Sequence, residues 1–168
     1  MRPRLFVFVI VAAIGAGAGV VLVVGGGHDD GDRTAREELV AERGAQVMPF
    51  DLEATTHHFE PTDFGGVQRV VADDATDRRQ IDLIRAHLRA EVDRFRAGDF
   101  GDPALIHGHD MPGLAVLEAN AHTLEITYRV LDDGAEVTYR SRDERTVAAL
   151  HDWFAAQLAD HGAHARQG

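Results

Sequence analysis

The chain of 168 residues contains no cysteine, and because its seventeen basic residues are all arginine it contains no lysine either. Without cysteine the protein can have no disulfide, no cysteine-ligated zinc site and no thiol nucleophile. Without lysine it cannot form a lysine Schiff base with a substrate or cofactor. Composition alone therefore excludes disulfides and three classes of functional site.

Positive charge is scarce: 17 arginines stand against 28 aspartates and glutamates, for a formal net charge of −11. Such a surface repels phosphate backbones and anionic lipid headgroups, so we expect neither nucleic-acid binding nor peripheral binding to a membrane surface. The same surface attracts cations. A metal ion is the partner that this charge favours.

One long apolar run stands near the start of the chain. All twenty residues from 5 to 24 are Leu, Phe, Val, Ile, Ala or Gly, and Arg2 and Arg4 precede them. A helix of this length spans about 30 Å, enough to cross a bilayer, and the arginines keep the N-terminus in the cytoplasm. We predict an uncleaved membrane anchor over residues 1–27; the alternative is a signal peptide cleaved near Ala16-Gly17-Ala18.

Both alternatives place the rest of the chain in the periplasm or outside the cell, tethered to the cytoplasmic membrane or, after cleavage, secreted. Residues 28–46 are polar and predict a spacer or a short loose helix. Residues 47–168 have the usual size of one domain. The expected organisation is an anchor, a spacer and one folded domain.

The first half of this domain predicts a hairpin followed by a helix. Residues Thr55–Phe59 and Val67–Ala72 are rich in β-branched and aromatic side chains and flank a turn with proline and glycine. Between Asp77, a capping residue, and Gly98, a helix stop, apolar residues recur every three or four positions. They are Ile81, Ile84, Leu88, Val92 and Phe95.

The second half repeats this pattern. Apolar and polar residues alternate over 124–130 and 135–139, around the turn Asp132-Asp133-Gly134, and a helix follows from Asp143 to Gly162. Placing Asp77 on Asp143 aligns the apolar positions of the two helices. We predict an α+β fold in which two ββα units form a four-stranded antiparallel sheet with both helices on one face.

Ten histidines carry most of the functional signal. The segment Ile106-His-Gly-His-Asp-Met-Pro-Gly113 lies between the two units, where neither helix nor strand is strongly indicated. Its glycine lets two imidazoles converge on one ion, and neighbouring histidines in the first strand point to opposite faces, so only one of those would join them. The predicted ligands are His107, His109, His57, His58, Asp110 and Met111.

Histidine, carboxylate and thioether ligands suit copper best, followed by zinc or nickel. Haem bound without a covalent link is a further possibility, and no His-Glu-x-x-His zinc motif is present. The segment Asp160-His-Gly-Ala-His164 is another histidine cluster, although the alignment of His161 with Phe95 also favours a place on the buried helix face. His87, His122 and His151 are expected to be ordinary surface or core-edge residues.

Five blocks of sequence resemble a group of small exported bacterial proteins, several of which carry the name aspartate carbamoyltransferase. The resemblance implies a single domain from about Val47 to His164 and no assigned site. This chain has no Ser-Thr-Arg-Thr phosphate loop, and its charge opposes two anionic substrates, so we do not expect that activity. The blocks are Met48–Leu52, Thr55–Phe59, Gly65–Gln68, Ile106–Gly113 and Asp160–His164.

Three hypotheses of function follow. The first is an extracytoplasmic, membrane-tethered protein that captures, buffers or delivers a metal ion, most readily copper. The second is a non-catalytic interaction or structural domain without a bound ion. The third is an enzyme with His109 and Asp110 as an acid/base pair, which ranks last because neighbouring side chains usually point apart.

Overall fold

The computed structural model describes residues 29–168, so the predicted anchor or signal peptide over residues 1–27 lies outside the described residues. Within 29–168 no helix combines the length and the apolar character needed to cross a bilayer. The described chain is an α+β domain.

The sheet is mixed and has five strands in the order β3-β4-β2-β1-β5. Both predicted hairpins are present, but the prediction of four antiparallel strands alone is wrong, because β5 pairs in parallel with β1. β5 has three residues, too few to show the alternation that predicts a strand. The strands are β1 Thr55–Thr62, β2 Gly65–Ala72, β3 Glu125–Val130, β4 Gly134–Arg140 and β5 Ala165–Gln167.

One face of this sheet, here called the inner face, carries the two long helices α2 (Arg78–Arg96) and α5 (Glu144–His161). Strand register places Phe59 of β1 and Tyr128 of β3 in the same row of inner-face residues. The Phe59 ring lies 5.1 Å from that of Phe154 on α5, and the Tyr128 hydroxyl donates to the backbone oxygen of Arg85 on α2. Both helices therefore pack on the inner face.

The ends of these helices follow from their sequences. The Asp77 and Asp143 carboxylates accept hydrogen bonds from backbone N–H groups three residues on, as N-caps do. Gly162 follows α5 with φ +52°, a conformation that a side chain opposes and that ends the helix. The capping residues and stop signals thus determine where the helix of each ββα unit begins and ends.

Three further helices complete the domain: α1 (Asp29–Val47), α3 (Gly101–His107) and α4 (Leu114–Ala119). Residues 29–47, where the sequence favoured a spacer or a short loose helix, form one 19-residue helix, and its Val40 is 1% exposed. The expectation of irregular structure over residues 106–113 is wrong at its start, because His107 ends α3. Both differences bear on the site, since α3 forms part of its wall and Arg36 of α1 holds a carboxylate that supports it.

Candidate functional site

A cavity of about 60 Å³ lies between the inner face of the sheet and helices α2, α3 and α5. A space of this size holds a few water molecules or one ion with part of its hydration. Four histidines line it: His57 from β1, His107 from the end of α3, His161 from the end of α5 and His87 of α2. The His87 ring packs edge-on against Phe50, whereas the other three rings contact one another. We call this cavity the histidine chamber.

The three rings contact one another through His161. Its centroid lies 5.1 Å from that of His57, with the planes nearly parallel at 6°, and 5.1 Å from that of His107, edge to face at 76°. Residues distant in sequence thus meet because α3 and α5 bring their histidines against the inner face of β1. Imidazole nitrogens from three elements lie within one small volume.

His107 is held from behind by a carboxylate. Its Nδ1 lies 2.7 Å from Oδ2 of Asp160, and because an ionised carboxylate only accepts, Nδ1 carries the proton and Nε2 keeps its lone pair. Arg36 of α1 binds both oxygens of Asp160, at 3.0 and 2.7 Å, and donates to the backbone oxygen of His107 at 2.7 Å. This chain of contacts fixes the ring and its tautomer.

Burial keeps the three imidazoles neutral. Desolvation lowers the pKa of His57 to about 4 and that of His161 well below its ordinary value, with neighbouring imidazoles adding to both shifts. Desolvation also lowers the pKa of His107, against an opposing effect of the hydrogen bond and charge of Asp160. Neutral imidazole is the form that binds metal ions.

Two polar atoms of the cavity wall have no partner among residues 29–168. They are Nδ1 of His57, a residue 4% exposed, and Nε1 of Trp153, a residue 1% exposed. A buried polar group without a hydrogen bond costs about 1–3 kcal/mol, so such atoms in a cavity usually meet water, an ion or a ligand. The wall of the histidine chamber therefore holds two polar atoms whose hydrogen-bonding capacity is not satisfied by residues 29–168.

The opposite end of the cavity carries acidic groups. Glu91 of α2 is 7% exposed, and the Arg94 guanidinium contacts both its carboxyl and that of Asp102. Burial, with a smaller effect from Asp102, raises the pKa of Glu91 to about 8. Near neutral pH Glu91 is therefore mostly protonated, and the arginine keeps this end from being strongly anionic.

The six residues predicted as ligands are not brought together. His57 and His107 line the chamber, and Met111 is buried in the core without lining that cavity. His109 and Asp110 are exposed. His58 lies on the outer face of β1, as the alternation of side chains along a strand requires.

The split within His107-Gly108-His109 has a local cause. His107 is the last residue of α3 and is 1% exposed, whereas Gly108, with φ +98°, turns the chain away from the helix. The two imidazoles therefore leave the backbone in different surroundings. His109 and Asp110, the acid/base pair of the third hypothesis, are both exposed.

Sequence reasoning placed Asp160 and His161 in a separate cluster and missed Arg36 altogether. The alignment of His161 with Phe95 was the one signal for its inward position. No pattern pointed to Arg36, because its helix looked like a polar spacer. The contact between Arg36 and Asp160 spans 124 residues, which no local motif reveals.

The chamber is not a preformed coordination sphere. Within residues 29–168 no group of three or more histidine, aspartate or glutamate side chains is already arranged to hold an ion. The parallel stacking of His57 and His161 explains this, because the lone pairs of stacked rings lie in parallel planes and do not converge. Ligation by both would require a ring rotation.

Comparison of the chain with known families, with curated proteins and with solved structures finds no match.

Proposed function

We propose that this protein is an extracytoplasmic, membrane-tethered metal-binding protein that captures, buffers or delivers an ion, copper in the first place and zinc next. The ligands are His57, His107 and His161 of the histidine chamber. This set keeps two residues of the original prediction and replaces the exposed His109 with His161.

The observation that carries the proposal is the contact of three neutral imidazoles inside the domain, one with an unpartnered nitrogen. Two buried histidines, His57 and His107, and the half-buried His161 stabilise a core less than apolar residues of similar size, since an imidazole nitrogen left unbonded costs free energy. An ion that accepts their lone pairs removes this cost. Metal binding thus accounts for the residue type as well as for the unpartnered atom.

His107 is the fixed ligand of the proposed site. Histidines that bind metals usually donate their other ring N–H to a carboxylate, which orients the ring and raises its basicity. Asp160 stands in this relation to Nδ1 of His107, and Arg36 holds Asp160. His57 and His161 then rotate towards an ion placed at Nε2 of His107.

The choice of ion follows from the ligands and the volume. Imidazole suits copper and zinc, and divalent copper binds nitrogen sites more tightly than zinc does. Three histidines leave a position for water or an exchanging ligand, which fits capture or delivery. The chamber has no room for a porphyrin, so haem is not proposed.

Location rests on the sequence. The apolar run over residues 5–24 with its leading arginines supports a single-pass anchor, with the domain in the periplasm or outside the cell. The net charge of −11 supports accumulation of cations around the domain.

The test is metal analysis of residues 28–168 after dialysis against equimolar first-row metals. We expect about one copper per chain in the parent, and loss of it in His57→Gln and in His161→Gln. His58→Gln and His109→Gln are matched controls that should keep the ion. Circular dichroism of each variant shows that the fold remains.

A folded parent without an ion, or loss of the ion in the His109→Gln control, would overturn the proposal. The former result would favour a non-catalytic interaction or structural domain. The observation that favours such a domain is the lack of a preformed three-ligand group within residues 29–168.

A further inference from the structure

We infer that a second, acidic cavity beside the histidine chamber is the route by which a divalent cation reaches His57 and His161. This inference rests on the proposed function. The cavity, of about 230 Å³, opens between α1 and the C-terminal turn and is here called the acidic mouth. Its charged and histidine wall residues are Glu37, Glu38, Glu53, Asp160, His57, His161 and His164.

The acidic mouth and the histidine chamber share a wall. His57 and His161 line both cavities, and the rest of the two linings differs. A cation in the mouth would therefore meet these two imidazoles before it entered the chamber. The ring rotation that ligation demands would also open the wall between the two spaces.

The charge of the mouth favours cations. Glu37 and Glu38 project from α1, and the Glu37 carboxylate lies so close to Gly162 that a Cβ there would approach its Cδ to 2.9 Å. Glu53 faces them, with Oε1 3.3 Å from Nε2 of His164. Arg33 offsets part of this charge from the exposed side, at 3.8 Å from Glu37.

A group of carboxylates alone would be an ordinary solvated surface. The independent observation is His57, a residue 4% exposed that lines both cavities and whose Nδ1 has no hydrogen-bond partner within residues 29–168. The carboxylates of the acidic mouth thus lie in the same cavity as His57, whose Nδ1 has no hydrogen-bond partner within residues 29–168. A cation that exchanges water for carboxylate and then for imidazole would follow this order of ligands.

The other end of the chamber is a poorer route. There the Arg94 guanidinium lies between the carboxyls of Glu91 and Asp102. Burial keeps Glu91 mostly protonated, so the charges of Arg94 and Asp102 cancel and this end attracts a divalent cation less than the mouth does.

Stopped-flow mixing with Cu²⁺ tests the route in the domain without its predicted anchor, residues 28–168. The triple variant Glu37→Gln/Glu38→Gln/Glu53→Gln removes the carboxylates of the mouth. The matched control Glu42→Gln/Glu118→Gln/Glu125→Gln removes the same charge at exposed positions outside it. Any effect of net charge alone is then equal in both.

We expect the association rate constant to fall about tenfold in the mouth variant, which is the lower range of electrostatic steering, and less than twofold in the control. The amount of bound copper at equilibrium should be unchanged in both. Equal rates in the two variants would overturn the route while leaving the proposed function intact. A mouth variant that no longer binds copper would show that the carboxylates are ligands and would also overturn the route. A parent that binds no copper would overturn both proposals.

Discussion

The two faces of the sheet treat ionisable side chains in opposite ways. On the outer face, Glu136 of β4 is bound by Arg69 at 2.9 Å and by Arg129 at 2.7 Å, and Arg69 also reaches Glu60. On the inner face, His57 has a nitrogen without any partner in the described chain. The charge of Glu136 outside is paired, whereas the imidazole of His57 inside is kept neutral by burial.

His57 and His58 show the difference at adjacent positions. His58 shares the outer face with arginines 69 and 166, and partial burial and their charge lower its pKa. His57 is 4% exposed, and desolvation is the largest cause that lowers its pKa to about 4. The outer carboxylate is thus satisfied by two arginines, whereas Nδ1 of His57 has no partner within residues 29–168. This difference is why the proposed site lies on the inner face.

The largest effect should come from the apolar part of the inner face. Phe154 is fully buried between Phe59, Tyr139 and Trp153. Phe154→Ala should lower the free energy of unfolding by about 3–5 kcal/mol, measured by urea denaturation. Val130→Ala, at a position 51% exposed, should change it by less than about 0.5 kcal/mol, and equal effects would contradict the assignment of the core.

The next effect concerns the support of His107. Asp160→Asn leaves Arg36 without its carboxylate and weakens the bond to Nδ1, so stability should fall by about 1–3 kcal/mol. Copper affinity should fall about 10- to 100-fold, as for other outer-shell carboxylates. Asp152→Asn, exposed on the same helix, is the control, and a loss of affinity there would contradict a role for the carboxylate position.

Glu91 of α2 should make stability fall as pH rises from the acidic range to about 8. Its pKa in the folded state is about 8, above the ordinary value of 4.5, so the folded protein binds more protons between these values and stability falls as pH rises from about 4.5 to about 8. Glu91→Gln should remove this slope and be more stable than the parent by about 1–3 kcal/mol at pH 9. Thermal melts at pH 5 and pH 9 check it, and parallel profiles of parent and variant would contradict it.

The outer face should show the opposite sign and the smallest effect. Hydrogen bonds from Arg129 and Arg69 lower the pKa of Glu136, so its stabilising contribution is present above about pH 4.5 and is lost as pH falls below it. Arg129 is 62% exposed and Arg69 remains, so Arg129→Ala should cost at most about 1 kcal/mol at pH 7. A larger loss in urea melts would show that the outer network is a stability element in its own right.

Local signals predicted the secondary structure of both ββα units. Asp77, Asp143, Gly98 and Gly162 act where capping and stop rules place them. β5 was missed because three residues carry no period, and α1 because its stability comes from packing of residues such as Val40 rather than from its own sequence.

The candidate site was predicted only in part, for a geometric reason. Spacing in sequence suggested that His107 and His109 act together, but a helix end with a glycine after it sends them apart. His57, His107 and His161 meet through the packing of three elements, which no single sequence window contains. The alternation rule did predict correctly that only one of His57 and His58 faces the interior.

The most direct test of the metal site is a crystal structure of the copper-loaded domain with anomalous data collected at the copper edge. The account predicts one anomalous peak in the histidine chamber, about 2.0–2.1 Å from one ring nitrogen each of His57, His107 and His161, with Asp160 still bound to Nδ1 of His107. A peak at His109, on the outer face beside His58, or nowhere in a folded domain would contradict it.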